Sequence, residues 1–364
     1  MPSVRPSAMV DVRFPGASHN GQWIALLGLI LGLLTGCSQP NDAEMLFEEH
    51  RQALNDALDV AALPASDPDN IGAFPDQQAR LFDIPDIREG LLDIYALREC
   101  QITSLIAQRN NQLGKVAPPS QRWLYELELW RRLNDCWHSD VPESLDNDDR
   151  DRLQRLIELK TQRLPKASWN ALFGSSEWAD SFSRASEPLA PQDSPPLDAS
   201  LEALDYLRRA TLNQFDPGWQ PESSVLEGHL QTLQRTPLSA RILRALQLAA
   251  LRLEESRRLI DTALKDVDEC PLQTADAPLL DLVRQRLMPY LQRLSTDGKR
   301  WLTAINALLE AHSVSRPAID AYRREWLSLD AQNAPWQRFM KARKQHETSW
   351  QRLLSRCHSL ATGS

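Results

Sequence analysis

Apolar residues recur every three or four positions along most of this chain, the spacing of helices with one buried face. Over residues 43–62, Leu46, His50, Leu54, Leu58 and Ala61 share a stripe. A stretch broken by Pro64, Pro68, Pro75 and Pro85 follows. Proline removes a backbone donor and blocks helix, which predicts an extended strap anchored by Phe74, Leu81, Phe82 and Ile84. Asp86, with Glu89 three residues on, reads as an N-cap. The helix it opens carries Ile87, Leu91, Ile94, Tyr95, Ile102, Leu105 and Ile106, and Gly114 closes it as a left-handed cap. After Pro118-Pro119, Ser120 caps a partner helix with an aromatic stripe of Trp123, Leu127, Trp130 and Trp137. Such a stripe is a core face before it is a ligand box.

Acids from Asp146 to Asp151 suit the positive end of a helix bearing Leu153, Leu156, Ile157 and Leu164. Trp169, Phe173, Trp178 and Phe182 form a further short aromatic-faced piece. Residues 186–194, with Pro188, Pro191, Pro195 and Pro196, mark either a long surface loop or a division of the body into two subdomains near 186–197. Helices follow over 197–215, from Pro221, and over 237–267. The last has a wide stripe (Leu238, Ile242, Leu246, Leu253, Ile260, with Leu243 and Leu259 beside it) and is expected to be central and largely buried. Beyond Cys270 the pattern gives helices over 277–294, kinked at Pro289, then 299–311, 316–329 and 335–358. The fold class is therefore all-α: an irregular multi-helix bundle with a proline-rich N-terminal strap. The signatures of helical solenoid repeats are absent.

Upstream, the pattern changes character. Residues 24–34 are an unbroken run of eleven apolar or glycine residues leading into Leu34-Thr35-Gly36-Cys37. The run is shorter than the roughly 20 residues a transmembrane helix needs, and it lacks a polar face. It looks like a lipoprotein signal, cleaved between Gly36 and Cys37, with the Cys37 thiol taking a diacylglyceryl thioether. The n-region is long, and its basic residues are only Arg5 and Arg13; a start at Met9 or later would shorten it without touching the lipobox. Residues 1–36 would be removed, 37–42 would be a lipidated tether and 43–364 the body. Two or three acyl chains give durable anchoring. Ser38 in the second mature position points to the periplasmic face of the outer membrane, with the inner membrane as the alternative.

Composition agrees with a helical body. Five of the thirteen glycines lie in residues 1–36, which leaves few for the rest. The formal charge of −8 becomes −9 once Arg5, Arg13 and Asp11 are removed, and the arginines alternate with acids. That balance argues against binding nucleic acid through bulk electrostatics. Cys100, Cys136, Cys270 and Cys357 remain, an even set that in an oxidising compartment implies two disulfides. Cys100 lies about 12 residues before the end of one predicted helix and Cys136 about 16 after the start of the next, so an antiparallel hairpin brings them level. Cys270–Cys357 then staples the C-terminal helix. A zinc site on Cys136 and His138 lacks the expected spacing.

No motif names a reaction. Asp146–Asp151 lacks the glycine and glutamate of a calcium loop. His346-Glu347 begins like HExxH, but Trp350 stands where the second histidine belongs. Phe173-Gly174-Ser175-Ser176 is not a nucleophile elbow, and Gly298-Lys299 is not a P-loop. No cofactor or metal is expected. His346 and Trp350, one turn apart, read as a surface or interface pair. The turn containing Arg109, Asn110, Asn111, Gly114 and Lys115 reads as a helix end, with a partner-contact loop as its functional alternative.

Two stretches carry a resemblance. Arg109-Asn110-Asn111-Gln112-Leu113-Gly114-Lys115-Val116 with Tyr125-Glu126 and Cys136 is the first, and His346-Glu347-Thr348-Ser349-Trp350-Gln351-Arg352-Leu353-Leu354 leading to Cys357 is the second. With the lipobox, they resemble the Gram-negative lipoprotein family catalogued as Domain of Unknown Function 3080. The resemblance implies the lipoprotein class and no activity. The expectation is a non-enzymatic envelope lipoprotein that binds a periplasmic or outer-membrane protein. The alternatives are an envelope hydrolase with dispersed catalytic residues and a carrier with a dry apolar cavity for a lipid-like ligand.

Overall fold

The computed structural model of the chain describes residues 42–60, 66–85, 87, 89–193, 195–266, 270–273 and 276–361. All belong to one unit, Asn41–Ser364. A second unit, Met1–Pro40, lies outside the described residues, and with it the signal, Gly36 and Cys37. Among the described residues every regular element is helical. The eight long helices are α1 (Asp42–Leu58), α2 (Pro119–Trp137), α3 (Asn147–Phe173), α4 (Leu197–Leu212), α5 (Ser223–Arg235), α6 (Leu238–Asp266), α7 (Met288–Ala311) and α8 (Pro335–Ala361). None is long and apolar enough to cross a membrane.

Helix α6 is the central element. Its leucines and alanines favour helix, and its wide apolar face is buried almost along its whole length. Each leucine taken fully out of water there stabilises the fold by about 1.5–3 kcal/mol. Helix α8 runs parallel to α6. Asp261 accepts from Ser349 (2.8 Å) and Arg352 (2.6 Å), and one turn on the Leu264 carbonyl accepts from Arg356 (2.7 Å). The Cys270–Cys357 disulfide closes that end. Helices α1 and α7 pack on the same central helix, α4 packs beside α7, and α5 packs beside α4. Segment 186–193 is no linker: the Leu189 carbonyl accepts from Tyr290 (2.7 Å), the Ala190 carbonyl from Arg293 (2.8 Å), and both residues are buried.

Several helices differ from their sequence reading. The expected separation of one helix ending at 294 from another starting at 299 is absent. A π turn over Val283–Leu287 widens the backbone just before Pro289, and α7 continues through Gly298. An added Cβ at Gly298 would meet Trp336 and Ile242 at 3.5 and 3.6 Å, ordinary van der Waals contact, so the buried site could also take a methyl group. Packing overrides the poor helix propensity of the glycine. Trp169 and Phe173 are the last turns of α3, which passes through Pro165, while Trp178 sits on the separate helix Ser176–Asp180. Ser120 is not a cap: helix α2 starts with Pro119 at its first position, and the Ser120 hydroxyl donates to Glu227 (2.7 Å). Asp146 does cap α3, accepting from the Asp149 N–H (2.8 Å).

The strap is present over 66–85, with one short helical turn at Gln77–Arg80; Pro64 lies outside the described residues. Phe74 stacks on Phe182 at 4.5 Å and Phe82 meets Trp169 edge-on at 5.9 Å. These residues, with Leu81 and Ile84, are only half-buried; the deepest anchor is Ile71, fully enclosed. Body side chains satisfy the strap's backbone. The Asn170 amide accepts from the Phe82 N–H (2.9 Å) and donates to the Phe82 carbonyl (2.8 Å), and the Trp169 indole donates to the Arg80 carbonyl (2.8 Å).

His346 and Trp350 are interior, which overturns their reading as a surface or contact pair. The Trp350 indole donates to His346 Nε2 (2.9 Å), and the ring of His50 lies 5.8 Å from that of His346. Burial holds the His50 pKa down at about 4, and burial with the neighbouring His50 holds His346 at about 3. His312, edge-on to Trp169 at 5.3 Å, is lowered by burial to about 4. In the unfolded chain these imidazoles take protons below about pH 6.5. The unfolded state therefore binds more protons between pH 6.5 and 4, and stability is complete above 6.5 and lost as pH falls. For His50 alone the difference is on the order of 3 kcal/mol. Urea midpoints are expected to drop steeply between pH 6.5 and 4.5, with a shallower drop in His346→Gln; equal slopes would contradict the burial account.

Candidate binding cleft

The expected single helix from Ile87 to Gly114 is broken, and the break makes a cleft. Residues Leu91–Ala96 and Thr103–Asn110 are separate helical pieces joined by a tight turn at Arg98–Cys100. Gln101 has φ 56°, a left-handed conformation no helix interior tolerates. Three attachments hold that turn to the α2–α3 hairpin: Leu97 and Ile102 fully buried, the Cys100–Cys136 disulfide with Cα atoms 5.1 Å apart, and the Gln101 carbonyl accepting from Arg132 (2.5 Å). The sequence-derived pairing is thus correct, although Cys100 projects from a turn and not from the middle of a helix. The two pieces diverge from this point of attachment. Between them, the end of the strap and the α2–α3 hairpin lies a cleft of about 780 Å³.

The walls are apolar, with Ile84, Ile87, Ile94, Ile106, Leu129 and Leu156 among them. Deep in the cleft Lys160 donates to Glu126 at 2.6 Å. Lys160 occupies the apolar stripe of α3 between Leu156 and Leu164, a buried position for which the nearby carboxylate compensates. Burial, with Glu126 beside it, pushes the Tyr125 phenol up to about 12, so it stays protonated across the physiological range.

At the turn after Asn110 the cleft becomes cationic. The Arg109 guanidinium donates to the Gly114 carbonyl (2.9 Å), and Arg122 donates to the carbonyls of Ala117 (2.9 Å) and Lys115 (3.2 Å). On the strap side Arg163 donates to the Pro85 carbonyl (2.8 Å). Neutral carbonyls orient these groups without cancelling their charge. Counting Lys115 and Lys160, five cations line the cleft against Glu89 and Glu126, in a chain whose formal charge is −8. Glu89 faces Arg152 at 3.7 Å.

Gly114 is not the left-handed cap its position implied, since no described glycine has positive φ. It is required by close approach: an added Cβ would lie 2.3 Å from the Gln108 carbonyl oxygen and 2.5 Å from that of Arg109. Asn111 caps the short helix Gln112–Lys115 by accepting from the Gly114 N–H (2.8 Å). Of the proposed contact residues, Arg109, Asn110 and Lys115 line the cleft, Asn111 braces its turn, and His346 and Trp350 belong to the separate interior cluster around α1, α6 and α8. Lys160, Arg122 and Arg163 were not singled out from the sequence, and Glu126 entered only with the family resemblance. The lysine interrupting the Leu153–Leu156–Leu164 stripe was the available signal.

Among the described residues the five most exposed large apolar side chains lie on the segments that supply the cleft's walls, and Leu91 itself lines it. They are Leu91 (90 %), Leu92 (84 %) and Tyr95 (61 %) on one piece, with Leu113 (79 %) and Val116 (75 %) at the opposite turn. Exposed apolar side chains grouped this way mark a contact surface.

Residues 47–360 match the family described as "Protein of unknown function (DUF3080)", a span that includes the whole cleft and both disulfides. No curated protein and no solved structure matches the chain.

Proposed function

The chain belongs to the DUF3080 family, and from that premise we propose that it is a non-catalytic envelope lipoprotein. In this reading it is tethered through Cys37 at the periplasmic face of the outer membrane and holds another envelope component in its cleft. The observation that carries the binding role is the cleft itself, apolar within, cationic at one end and with exposed apolar side chains on the segments that supply its walls. Its ionisable groups favour binding over chemistry: Lys160 and Glu126 are engaged with each other, the Tyr125 phenol is held neutral, and among the described residues no histidine, cysteine or serine lines the walls. The anchor rests on the lipobox.

Two experiments test the two halves. Cys37→Ala is expected to accumulate as unlipidated precursor, and palmitate labelling undiminished in that variant would refute the anchor. For the cleft, a photoreactive amino acid is placed at Ile94, and a control at the exposed Gln231 on α5. Irradiated cells should yield a discrete adduct from Ile94 alone. No adduct at Ile94, or the same adduct at Gln231, would refute the binding site.

A further inference from the structure

We propose that the cleft binds an anionic amphiphile, with an acyl chain along the apolar walls and its charged group against Arg109, Lys115 and Arg122. This rests on the reading of the cleft as the working site and specifies its occupant. The volume, about 780 Å³, lies within the roughly 300–1,000 Å³ range of small-molecule sites. The chemistry of the walls selects among occupants. A peptide brings a backbone donor and acceptor at nearly every residue, and each buried without a partner is costly. The deep walls are isoleucine and leucine, and the Lys160 and Glu126 side chains are turned on one another, so little there can receive a peptide backbone. A hydrocarbon chain makes no such demand.

Charge then selects the headgroup. Arg109 and Arg122 are fixed by carbonyls of their own turn, and among the described residues no carboxylate pairs with either or with Lys115. Three cations gathered about the 111–118 turn, the two arginines oriented by carbonyls and not neutralised, complement a carboxylate or phosphate. The exposed apolar side chains complete the case. Leu91 lines the cleft and is exposed, Leu92 is exposed next to it, and Leu113 and Val116 are exposed on either side of Gly114-Lys115; apolar side chains beside cations are what an anionic membrane interface attracts.

The test uses the full chain in phosphatidylcholine vesicles containing a trace of lysophosphatidylglycerol with a photoreactive acyl chain. A zwitterionic lysophosphatidylcholine carrying the same chain is the comparison. Adducts mapped by mass spectrometry are expected within 94–106 and 129–156, with the anionic probe labelling about tenfold more than the zwitterionic one. The double variant K115E/R122E should lose that tenfold preference. Thr103→Trp, which fills the cleft from an exposed wall position, should reduce labelling by both probes. Each variant is compared at unchanged thermal midpoint and with Cys100–Cys136 intact. Adducts scattered over the surface, or equal labelling by the two probes, would overturn the proposal. So would full competition by millimolar inorganic phosphate, which would make this a free-anion site. A protein adduct from Ile94 in cells, without lipid labelling here, would refute the amphiphile and leave the binding role standing.

Discussion

Trp169→Ala is expected to lower the free energy of unfolding by about 3–5 kcal/mol, the range for removing a buried tryptophan. The indole is wholly enclosed, with ring centroids 4.2 Å from Phe173, 5.3 Å from His312 and 5.9 Å from Phe82. It also donates to the Arg80 carbonyl, so truncation leaves both a cavity and an unpartnered strap oxygen. Trp169→Phe separates the two effects. It keeps most of the ring volume and loses the donor, for an expected cost of about 1–2 kcal/mol. Urea denaturation measures both, and limited proteolysis reports the strap: the alanine variant should be cut within 76–85 at urea concentrations where the body is still folded. An alanine variant within 1 kcal/mol of wild type would mean that the strap does not dock through Trp169.

Loss of the Cys100–Cys136 disulfide is the second large effect, and its signature is local. The bridge closes a loop of 36 residues, worth about 3–4 kcal/mol in the chain-entropy model. That loop contains Thr103–Asn110 and Gln112–Lys115, with Leu91–Ala96 just before it, and the other attachments of these pieces include Leu97, Ile102, the Arg132 contact and the Asp93–Arg152 ion pair. With both cysteines changed to alanine, residues 91–116 are expected to open while α6 and α8 stay folded, as low-stability segments do. Amide exchange should therefore accelerate by two to three orders of magnitude within 91–116, with far less change in α6. Exchange rising equally in both would show that the segment and the body unfold as one unit. The Cys270–Cys357 bridge spans 87 residues and ties α8 to the end of the central helix, so its loss should lower the stability of the whole body.

The parts legible in the sequence are those decided locally. Helix α6 announces itself because its stripe is wide and uninterrupted, and α1 because Leu46, His50, Leu54 and Leu58 are buried as spaced. Cysteine pairing also came through, since two adjacent segments must lie side by side to use a thiol each. What failed depended on partners distant in sequence. Leu97 and Ile102 continue the helical spacing of Ile94, yet a left-handed Gln101 lies between them, because both residues are drawn onto the α2–α3 hairpin. The spacing of His346 and Trp350 places them on one face but cannot say that His50, from α1, closes over it. Ile71 belongs to no periodic run, so its burial was invisible. The cleft was least legible of all. It is a gap between separate elements, and of its five cations only Arg109 and Lys115 stood in a stretch that drew notice.

The strap's hydrogen bonds bear on how this chain can vary in length. The carbonyls of Gln78, Ala79, Arg80, Phe82 and Pro85 are met by four side chains: Arg316 for the first two, then Trp169, Asn170 and Arg163. Asn170 grips both the donor and the acceptor of Phe82, so that one residue cannot slide past it. A β-strand slipped by two residues recovers its ladder, because one backbone partner is like the next. Here the partners are unlike and sit on rigid helices. An insertion or deletion of a single residue between 78 and 85 would leave every carbonyl downstream of it out of phase with its donor. Indels are thus forbidden across this short span, whose residue count is set by the helices it crosses.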